Sequence, residues 1–151
     1  MQQQRNKYYI YNLPTFKLIM KKLAILCVDD ERIILDSLRI QIEKNLNNKY
    51  LFEYAESAEE ALEVIDDLIV EGIDLLLVIS DYQMPGMKGD EFAETLKTKL
   101  PDVNILLLTG QMSEEKSLDL ISKHIVLKVL QKPWKESDLL DLINSVSANV
   151  Q

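Results

Sequence analysis

Residues 23–46 read LAILCVDDERIILDSLRIQIEKNL, and this stretch decides the fold class. The residues from Leu23 to Val28 are all hydrophobic, which is typical of a short strand buried on both faces. After Asp29-Asp30-Glu31, apolar residues recur at helical spacing on one stripe, as in an amphipathic helix. A buried strand that leads directly into a helix is the repeating unit of α/β domains with parallel sheets.

The same strand-then-helix unit recurs along the rest of the chain. Four further strands are predicted at 50–55, 75–80, 103–108 and 125–130. Ser57 with Glu60 has the spacing of a capping box and predicts a helix start, while Pro101 predicts a helix stop. Because crossovers between such strands are right-handed, the strands should be parallel and covered by helices on both faces. We therefore predict a doubly wound α/β domain with a five-stranded parallel sheet in strand order 2-1-3-4-5.

Length and composition exclude several other classes. The chain has 151 residues, 47% of them hydrophobic and 28% charged, which is typical of one soluble globular domain. One cysteine, Cys27, excludes an internal disulfide framework and favours a reducing cytoplasm. The net charge of −8 disfavours direct nucleic-acid binding. The apolar runs are much shorter than the roughly 20 residues of a membrane span, so no membrane contact is expected.

The first 19 residues differ from the remainder in composition. They contain three basic residues, no acidic residue and three tyrosines. Met20 is a second plausible start, so we predict an N-terminal extension over residues 1–19, flexible because untethered termini usually are, and one domain over residues 20–148. The alternative is an arm that packs on the domain or binds a partner through its tyrosines.

Polar residues follow the predicted strands at the points where those strands end. Asp29 and Asp30 follow the first strand, Asp81 the third, Thr109 the fourth and Lys132 the fifth. In open α/β sheets, ligands bind beyond the carboxyl ends of the strands, near the switch in strand order. The sequence therefore predicts a site where three carboxylates, a hydroxyl and an ammonium converge.

Such crowding of carboxylates requires compensation. Two of them about 4 Å apart repel by about 4 kcal/mol at an effective dielectric constant of about 20. Lys132 offsets only part of this, whereas a hard divalent cation such as Mg²⁺ would offset more. Phosphoryl transfer to Asp81 as a carboxylate nucleophile is the chemistry that this combination favours.

Four segments resemble the receiver domain of two-component response regulators, the CheY-like superfamily. They occur in the order and spacing of that family: Val28–Glu31, Ser80–Gly89, Leu108–Gly110 and Lys132–Trp134. The resemblance extends over about residues 21–146. It implies a flavodoxin-like or CheY-like fold and a phosphoacceptor signalling domain, rather than an enzyme with more than slow autophosphatase chemistry.

The resemblance also implies a role for each matching residue. Asp81 would be the phosphoacceptor, and Thr109 and Lys132 would contact the phosphoryl oxygens. Mg²⁺ would be bound directly by Asp30, Asp81 and the main-chain carbonyl of Gln83, and through water by Asp29. The Lys132–Pro133 peptide bond would be cis, which an X-Pro amide permits at modest cost.

The partners expected from the resemblance are proteins. A sensor histidine kinase or a phosphotransfer protein would supply the phosphoryl group. A downstream effector protein or a tethered output domain would receive the signal, and phosphorylation could drive homodimerisation. The chain is expected to be either a stand-alone receiver or a receiver cut from a longer protein.

One position departs from the family pattern. Val129 occupies the place, three residues before the lysine, where receivers usually have Tyr or Phe as a switch residue. This substitution motivates an alternative, a phosphorylation-independent pseudo-receiver that acts as a protein-binding module. A flavodoxin-like cofactor binder is disfavoured because Asp29-Asp30-Glu31 would repel a phosphate. An aspartate-based phosphatase is disfavoured because Gln83 stands where that class has a second Asp.

Overall fold

The computed structural model describes residues 22–46 and 48–149, together with the backbone of residues 10–13 and 16–19. The strands of its main sheet are β3 (Leu23–Val28), β4 (Leu51–Ala55), β5 (Asp74–Asp81), β6 (Asn104–Thr109) and β7 (Lys128–Gln131). They pair in parallel, in the order β4-β3-β5-β6-β7. Numbered within this sheet, the order is 2-1-3-4-5, so the predicted α/β topology is confirmed.

Five helices cover the two faces of the sheet. They are α1 (Arg32–Leu46), α2 (Ala58–Val70), α3 (Gly89–Lys99), α4 (Glu114–Ser122) and α5 (Glu136–Ala148). Leu38 of α1 and Ile143 of α5 pack in one apolar cluster, while Ile65 of α2 and Phe92 of α3 pack in another. Because side chains alternate along each strand, strands covered on both faces must be hydrophobic throughout, which explains the continuous apolar runs.

The start of α2 has the predicted Ser57 cap, and Glu60 reaches back to the residue before that cap rather than to Ser57 itself. The Ser57 hydroxyl accepts a hydrogen bond from the Glu60 amide at 3.0 Å, and the Glu60 carboxylate accepts one from the Glu56 amide at 2.8 Å. These contacts satisfy amide groups that would otherwise have no partner at the helix end.

Replacing Ser57 by Ala is expected to lower the free energy of unfolding by about 1 kcal/mol, because the Glu60 amide loses its acceptor. Urea denaturation would measure the change. Ser37→Ala is the matched control, since the Ser37 hydroxyl donates to the Ile33 carbonyl within α1 and caps no helix start. Equal stability of Ser57→Ala and the parent chain would contradict the capping role.

The last strand begins later than predicted. The sequence suggested a strand over 125–130, whereas β7 spans Lys128–Gln131. The amides of Ile125 and Val126 donate to the Leu120 carbonyl and close the end of α4, after His124 adopts a φ of 55°. The apolar character of Ile125 and Val126 therefore reflects packing beneath α4 rather than strand pairing, because Val126 is buried in the core cluster of that face and Ile125 packs against it. Leu127 is 44% exposed, and its amide donates to the Ile105 carbonyl of β6 just before β7 begins.

The N-terminal region contains a feature that the sequence did not suggest. Strands β1 (Ile10–Leu13) and β2 (Phe16–Ile19) pair antiparallel as a separate two-stranded sheet. Residues 1–9 lie outside the described residues, so the prediction of a flexible extension is not tested there. Among the described helices, none combines the length and the apolar character that crossing a bilayer requires.

Candidate functional site

The carboxyl ends of the strands bring the predicted site residues to one edge of the sheet. Asp81 is the last residue of β5 and Thr109 the last of β6. Asp29 follows β3 and Lys132 follows β7, and both are still held by backbone hydrogen bonds to the neighbouring strand. The Asp29 amide donates to the Ala55 carbonyl of β4, and the Lys132 amide donates to the Thr109 carbonyl of β6. Parallel pairing therefore determines which polar residues are neighbours, although they are far apart in sequence.

Three carboxylates form a cluster at this edge. One carboxylate oxygen each from Asp29, Asp30 and Asp81 lies within 4.8 Å of the others. Asp29 is fully buried and Asp81 is 4% exposed, whereas Asp30 is exposed. The cluster thus has an inner part within the fold and one carboxylate that faces solvent.

Lys132 offsets part of the negative charge in the inner part of the cluster. Its Nζ atom lies 2.9 Å from Asp29 Oδ2 and 3.1 Å from Asp81 Oδ1. Burial lowers the pKa of Lys132, but its hydrogen bonds to the two carboxylates and their charges outweigh burial, so the pKa is raised above its ordinary value. Lys132 therefore remains charged and bridges both aspartates.

Asp81 is held in an environment that disfavours its charge. Burial raises the pKa of this carboxyl above its ordinary value, and the charge of Asp29 raises it further. Lys132 and a hydrogen bond from the Gln83 backbone oppose the increase without cancelling it. The net result is a carboxylate that is more basic than a solvated aspartate.

The other predicted residues lie around this centre. Thr109 is fully buried, and its hydroxyl accepts a hydrogen bond from the Gln111 amide at 3.1 Å. Gln83 follows β5 on an exposed turn, and its carbonyl as a metal ligand stays a prediction. The Lys132–Pro133 bond is cis, as the resemblance implied. Val129 lies on β7 and packs against the core beneath α2, α3 and α4.

Two residues that position the site had no role in the sequence analysis. A Cβ atom at Gly89 would lie 2.5 Å from the Asp81 carbonyl oxygen and 2.7 Å from Tyr82 Cα, so only glycine fits beside this backbone. The Met87 amide donates to Glu59 Oε1 at 3.4 Å and ties the turn after Asp81 to the start of α2. Glu59 is 28 residues from Met87, and no local sequence pattern reports such a contact.

The donor atoms of the cluster fit a magnesium site. The ligand atoms offered by its three aspartates are all carboxylate oxygens, the type that hard divalent cations prefer. Asp29 uses Oδ1 to accept from the Glu31 amide and Oδ2 to accept from Lys132. Asp29 is therefore better suited to act through water, while Asp30 faces solvent and can bind an incoming cation directly.

Comparison with known sequences assigns the family. Residues 25–144 match the response regulator receiver domain. The chain is 31% identical to the uncharacterized transcriptional regulatory protein YesN of Bacillus subtilis, over 84% of this chain and 33% of that protein. It is 31% identical to the response regulator protein FleR of Pseudomonas aeruginosa, over 79% of this chain and 23% of that protein. The chain thus spans about a third or less of the length of these curated relatives.

Comparison with solved structures agrees with this family assignment. The chemotaxis protein CheY4 of Vibrio cholerae is similar with a TM-score of 0.69 and 26% identity, over 83% of this chain and 98% of that chain. A CheY-like receiver domain protein of Methanospirillum hungatei gives a TM-score of 0.69 and 27% identity, over 86% and 99% of the two chains. Fold, strand-end residues and sequence agree, and the chain belongs to the receiver-domain family of two-component response regulators.

Proposed function

We propose that this receiver accepts a phosphoryl group on Asp81, in a reaction that depends on Mg²⁺, and so switches a surface that binds another protein. The observation that carries the proposal is the position of Asp81. It lies at the end of the central strand β5, nearly buried, paired with Lys132 and beside Asp29 and Asp30. A histidine kinase or a phosphotransfer protein would be the donor, and an effector protein or a tethered output domain would read the result.

The ligand set proposed for Mg²⁺ consists of Asp30, Asp81 and the Gln83 main-chain carbonyl, with Asp29 acting through water. When bound, the cation supplies positive charge that offsets the carboxylates and the transferred phosphoryl group. The two hydrogen bonds that already occupy Asp29 support its indirect role.

The chain's own residues perform the transfer. A carboxylate oxygen of Asp81 attacks the phosphorus, the bond between phosphorus and the donor imidazole nitrogen breaks, and an acyl phosphate forms on Asp81. Burial makes the Asp81 carboxylate more basic and thus a stronger nucleophile. The Lys132 ammonium, 3.1 Å from Asp81 Oδ1, and the Thr109 hydroxyl would then contact the phosphoryl oxygens.

Incubation of the full chain with acetyl phosphate tests this function. Intact-mass spectrometry should show one added phosphoryl group with Mg²⁺ and none with EDTA. Beryllofluoride should bind under the same Mg²⁺ condition. If neither reagent modifies or binds the chain, the phosphorylation-independent pseudo-receiver that Val129 suggests would replace this proposal, and a partner would be sought for the unphosphorylated domain.

Asp30→Asn should weaken Mg²⁺ binding by tenfold or more, because it removes the solvent-facing carboxylate of the cluster. In EDTA, the same variant should be slightly more stable than the parent chain, by about 0.5 kcal/mol, because a like charge is removed. Titration calorimetry and urea denaturation measure the two effects. Asp102→Asn is the control, since Asp102 is exposed and lies at the opposite edge of the sheet. Unchanged Mg²⁺ affinity in Asp30→Asn would remove Asp30 from the ligand set.

A further inference from the structure

Helix α4 is held to the domain less firmly than the other described helices. Of its nine residues only Leu120 is buried, whereas each of the other four helices buries four residues. Segments with few buried apolar contacts open and move more easily than the rest of a domain. Helix α4 also begins five residues after Thr109, at the edge of the sheet that carries Asp81. It is therefore the helix that a change at the site can displace most easily.

One ion pair joins the start of α4 to the start of α3. Lys116 Nζ lies 3.0 Å from Asp90 Oδ2, and the Asp90 side chain is only 19% exposed, so the pair is better shielded from solvent than an ordinary surface pair. Asp90 is in the first turn of α3, and the Lys116 amide donates to Ser113, the N-cap of α4, at 3.1 Å. The hydrogen bond to Asp90 raises the pKa of Lys116 above its ordinary value, so the lysine stays charged.

Asp90 is fixed relative to the end of β5. The amide of Gly89, the residue before it, donates to the Tyr82 carbonyl at 2.9 Å. Gly89 also lies so close to the Asp81 carbonyl that a side chain would not fit between them. Because these are close backbone contacts, Asp90 is the anchored partner of the ion pair, and Lys116 is the partner that can move with its helix.

The segment between Thr109 and α4 connects this helix to the site. The Thr109 hydroxyl accepts a hydrogen bond from the Gln111 amide at 3.1 Å, and Ser113, two residues further along, caps α4. A hydroxyl can donate to a phosphoryl oxygen while it still accepts from an amide. If Thr109 turns toward a phosphoryl group on Asp81, Gln111 follows and pulls the start of α4. The ion pair to Asp90 opposes that displacement.

Val129 gives such a contact a particular role in this chain. It packs in the core cluster beneath α4, and it has no ring that could alternate between two orientations. Communication between the site and α4 therefore has to use other contacts than an aromatic switch. Among the described ion pairs, Asp90–Lys116 joins α4 to another element, whereas Lys123–Asp119 lies within or directly after α4.

We propose that the Asp90–Lys116 ion pair is a latch that holds α4 in its unphosphorylated position and opens when Asp81 is phosphorylated. The inference rests on the proposed function, because it concerns the regulation of that same site. Coupling between two sites is reciprocal, so the free energy needed to open the latch also lowers the affinity of the site for a phosphoryl group. Removing the latch should therefore make the site bind a phosphoryl mimic more tightly.

Titration of the full chain with beryllofluoride at one saturating Mg²⁺ concentration, followed by amide chemical shifts, tests the coupling. Asp90→Asn and Lys116→Gln should each bind about threefold more tightly than the parent chain, and the double variant no more tightly than either. The two substitutions remove opposite charges, so a direct field effect on the anion would change its affinity in opposite directions. Opposite changes, unchanged affinity or additive gains would overturn the latch.

Two control variants show whether the ion pair itself is the cause. Lys99→Gln removes another ion pair of α3, to Asp66 of α2, at the amino edge of the sheet, and should leave the beryllofluoride affinity unchanged. Lys116→Arg keeps the positive charge and should keep the affinity of the parent chain. A Lys116→Arg protein that behaves like Lys116→Gln, or an equal gain in Lys99→Gln, would contradict the proposal.

Hydrogen exchange in EDTA, without a phosphoryl mimic, tests the latch independently of phosphorylation. The amides of residues 117–122 should exchange about twofold faster or more in Asp90→Asn and Lys116→Gln than in the parent chain, because α4 is released at its start. Lys99→Gln should leave these rates unchanged. A parent chain that binds no beryllofluoride would overturn the proposed function and the coupling to it. Unchanged exchange in both latch variants would overturn the latch itself, even in a chain that is phosphorylated.

Discussion

Asp81→Asn is expected to abolish the phosphoryl adduct that we expect acetyl phosphate to form on the parent chain. An amide nitrogen or oxygen cannot replace the carboxylate as a nucleophile, so we expect complete loss rather than a reduced rate. Asp29 should not replace Asp81 as the nucleophile, because both of its oxygens already accept hydrogen bonds. Asp102→Asn is the matched control and should retain the adduct. A phosphoryl group that persists on Asp81→Asn would move the acceptor to another residue.

The same substitution should stabilise the protein when Mg²⁺ is absent. The fold raises the pKa of Asp81 above its ordinary value of 3.8, first through burial and then through the charge of Asp29. At a pH just above 3.8, the folded state therefore binds more protons than the unfolded state. Stability from this group is fully present below 3.8 and is lost as the pH rises through the raised pKa.

Asparagine stays neutral as the pH rises, so the Asp81→Asn protein does not lose this contribution to stability. In EDTA at neutral pH we expect it to be more stable than the parent chain by about 1 kcal/mol. The difference should shrink as the pH falls and vanish below the ordinary pKa of Asp81. Urea denaturation at a series of pH values would show this convergence. A less stable Asp81→Asn at neutral pH would mean that the ion pair with Lys132 outweighs burial.

Gly89→Ala is expected to lower the free energy of unfolding by about 2 kcal/mol, in the range for overpacked sites. Alanine normally stabilises a helix relative to glycine, so the expected sign is opposite to that of helix propensity. The reason is local, because the new Cβ would overlap the Asp81 carbonyl oxygen and Tyr82 Cα. Those are backbone atoms that cannot rotate away. Strand β5 or the start of α3 must shift, so phosphorylation by acetyl phosphate should also slow.

Gly110→Ala provides the comparison for Gly89. Gly110 follows Thr109 at the same edge of the sheet. A Cβ atom built on Gly110 would have no heavy atom within 4 Å other than those of its chain neighbours. We expect its unfolding free energy to stay within about 0.5 kcal/mol of the parent chain and its phosphorylation to be unchanged. Urea denaturation and intact-mass time courses on both variants make the test. Equal behaviour of the two glycine variants would contradict the packing argument.

The hydrophobic pattern was sufficient to predict the sheet. The run from Leu23 to Val28 coincides with β3, and the spacing of Leu38 and Ile42 predicted the buried stripe of α1. Such patterns are local, because strand and helix periodicities repeat every two and about 3.6 residues. The strand-end positions of Asp29, Asp81, Thr109 and Lys132 then followed from topology, since parallel strands end at one edge.

The last strand shows where a local pattern is insufficient. Ile125 and Val126 are apolar because they pack beneath α4, and burial in a core imposes the same composition as burial in a sheet. The hydrogen bonds to the Leu120 carbonyl that exclude them from β7 depend on where α4 ends. The N-terminal hairpin was missed for a related reason, since four-residue strands carry too few residues to establish a period.

The sequence by itself determined the family, the order of the strands and the residue types at the site, because these depend on patterns within each segment and on right-handed crossovers. Only the tertiary structure decided how those residues interact. It showed that Lys132 bridges Asp29 and Asp81, that Asp29 is fully buried while Asp30 faces solvent, and that Gly89 must lack a side chain. The lysine bridge depends on residues that are tens of positions apart in the chain, and the close approach at Gly89 depends on how the turn after β5 folds back on Asp81. Such contacts arise only when the strands pair and the helices pack.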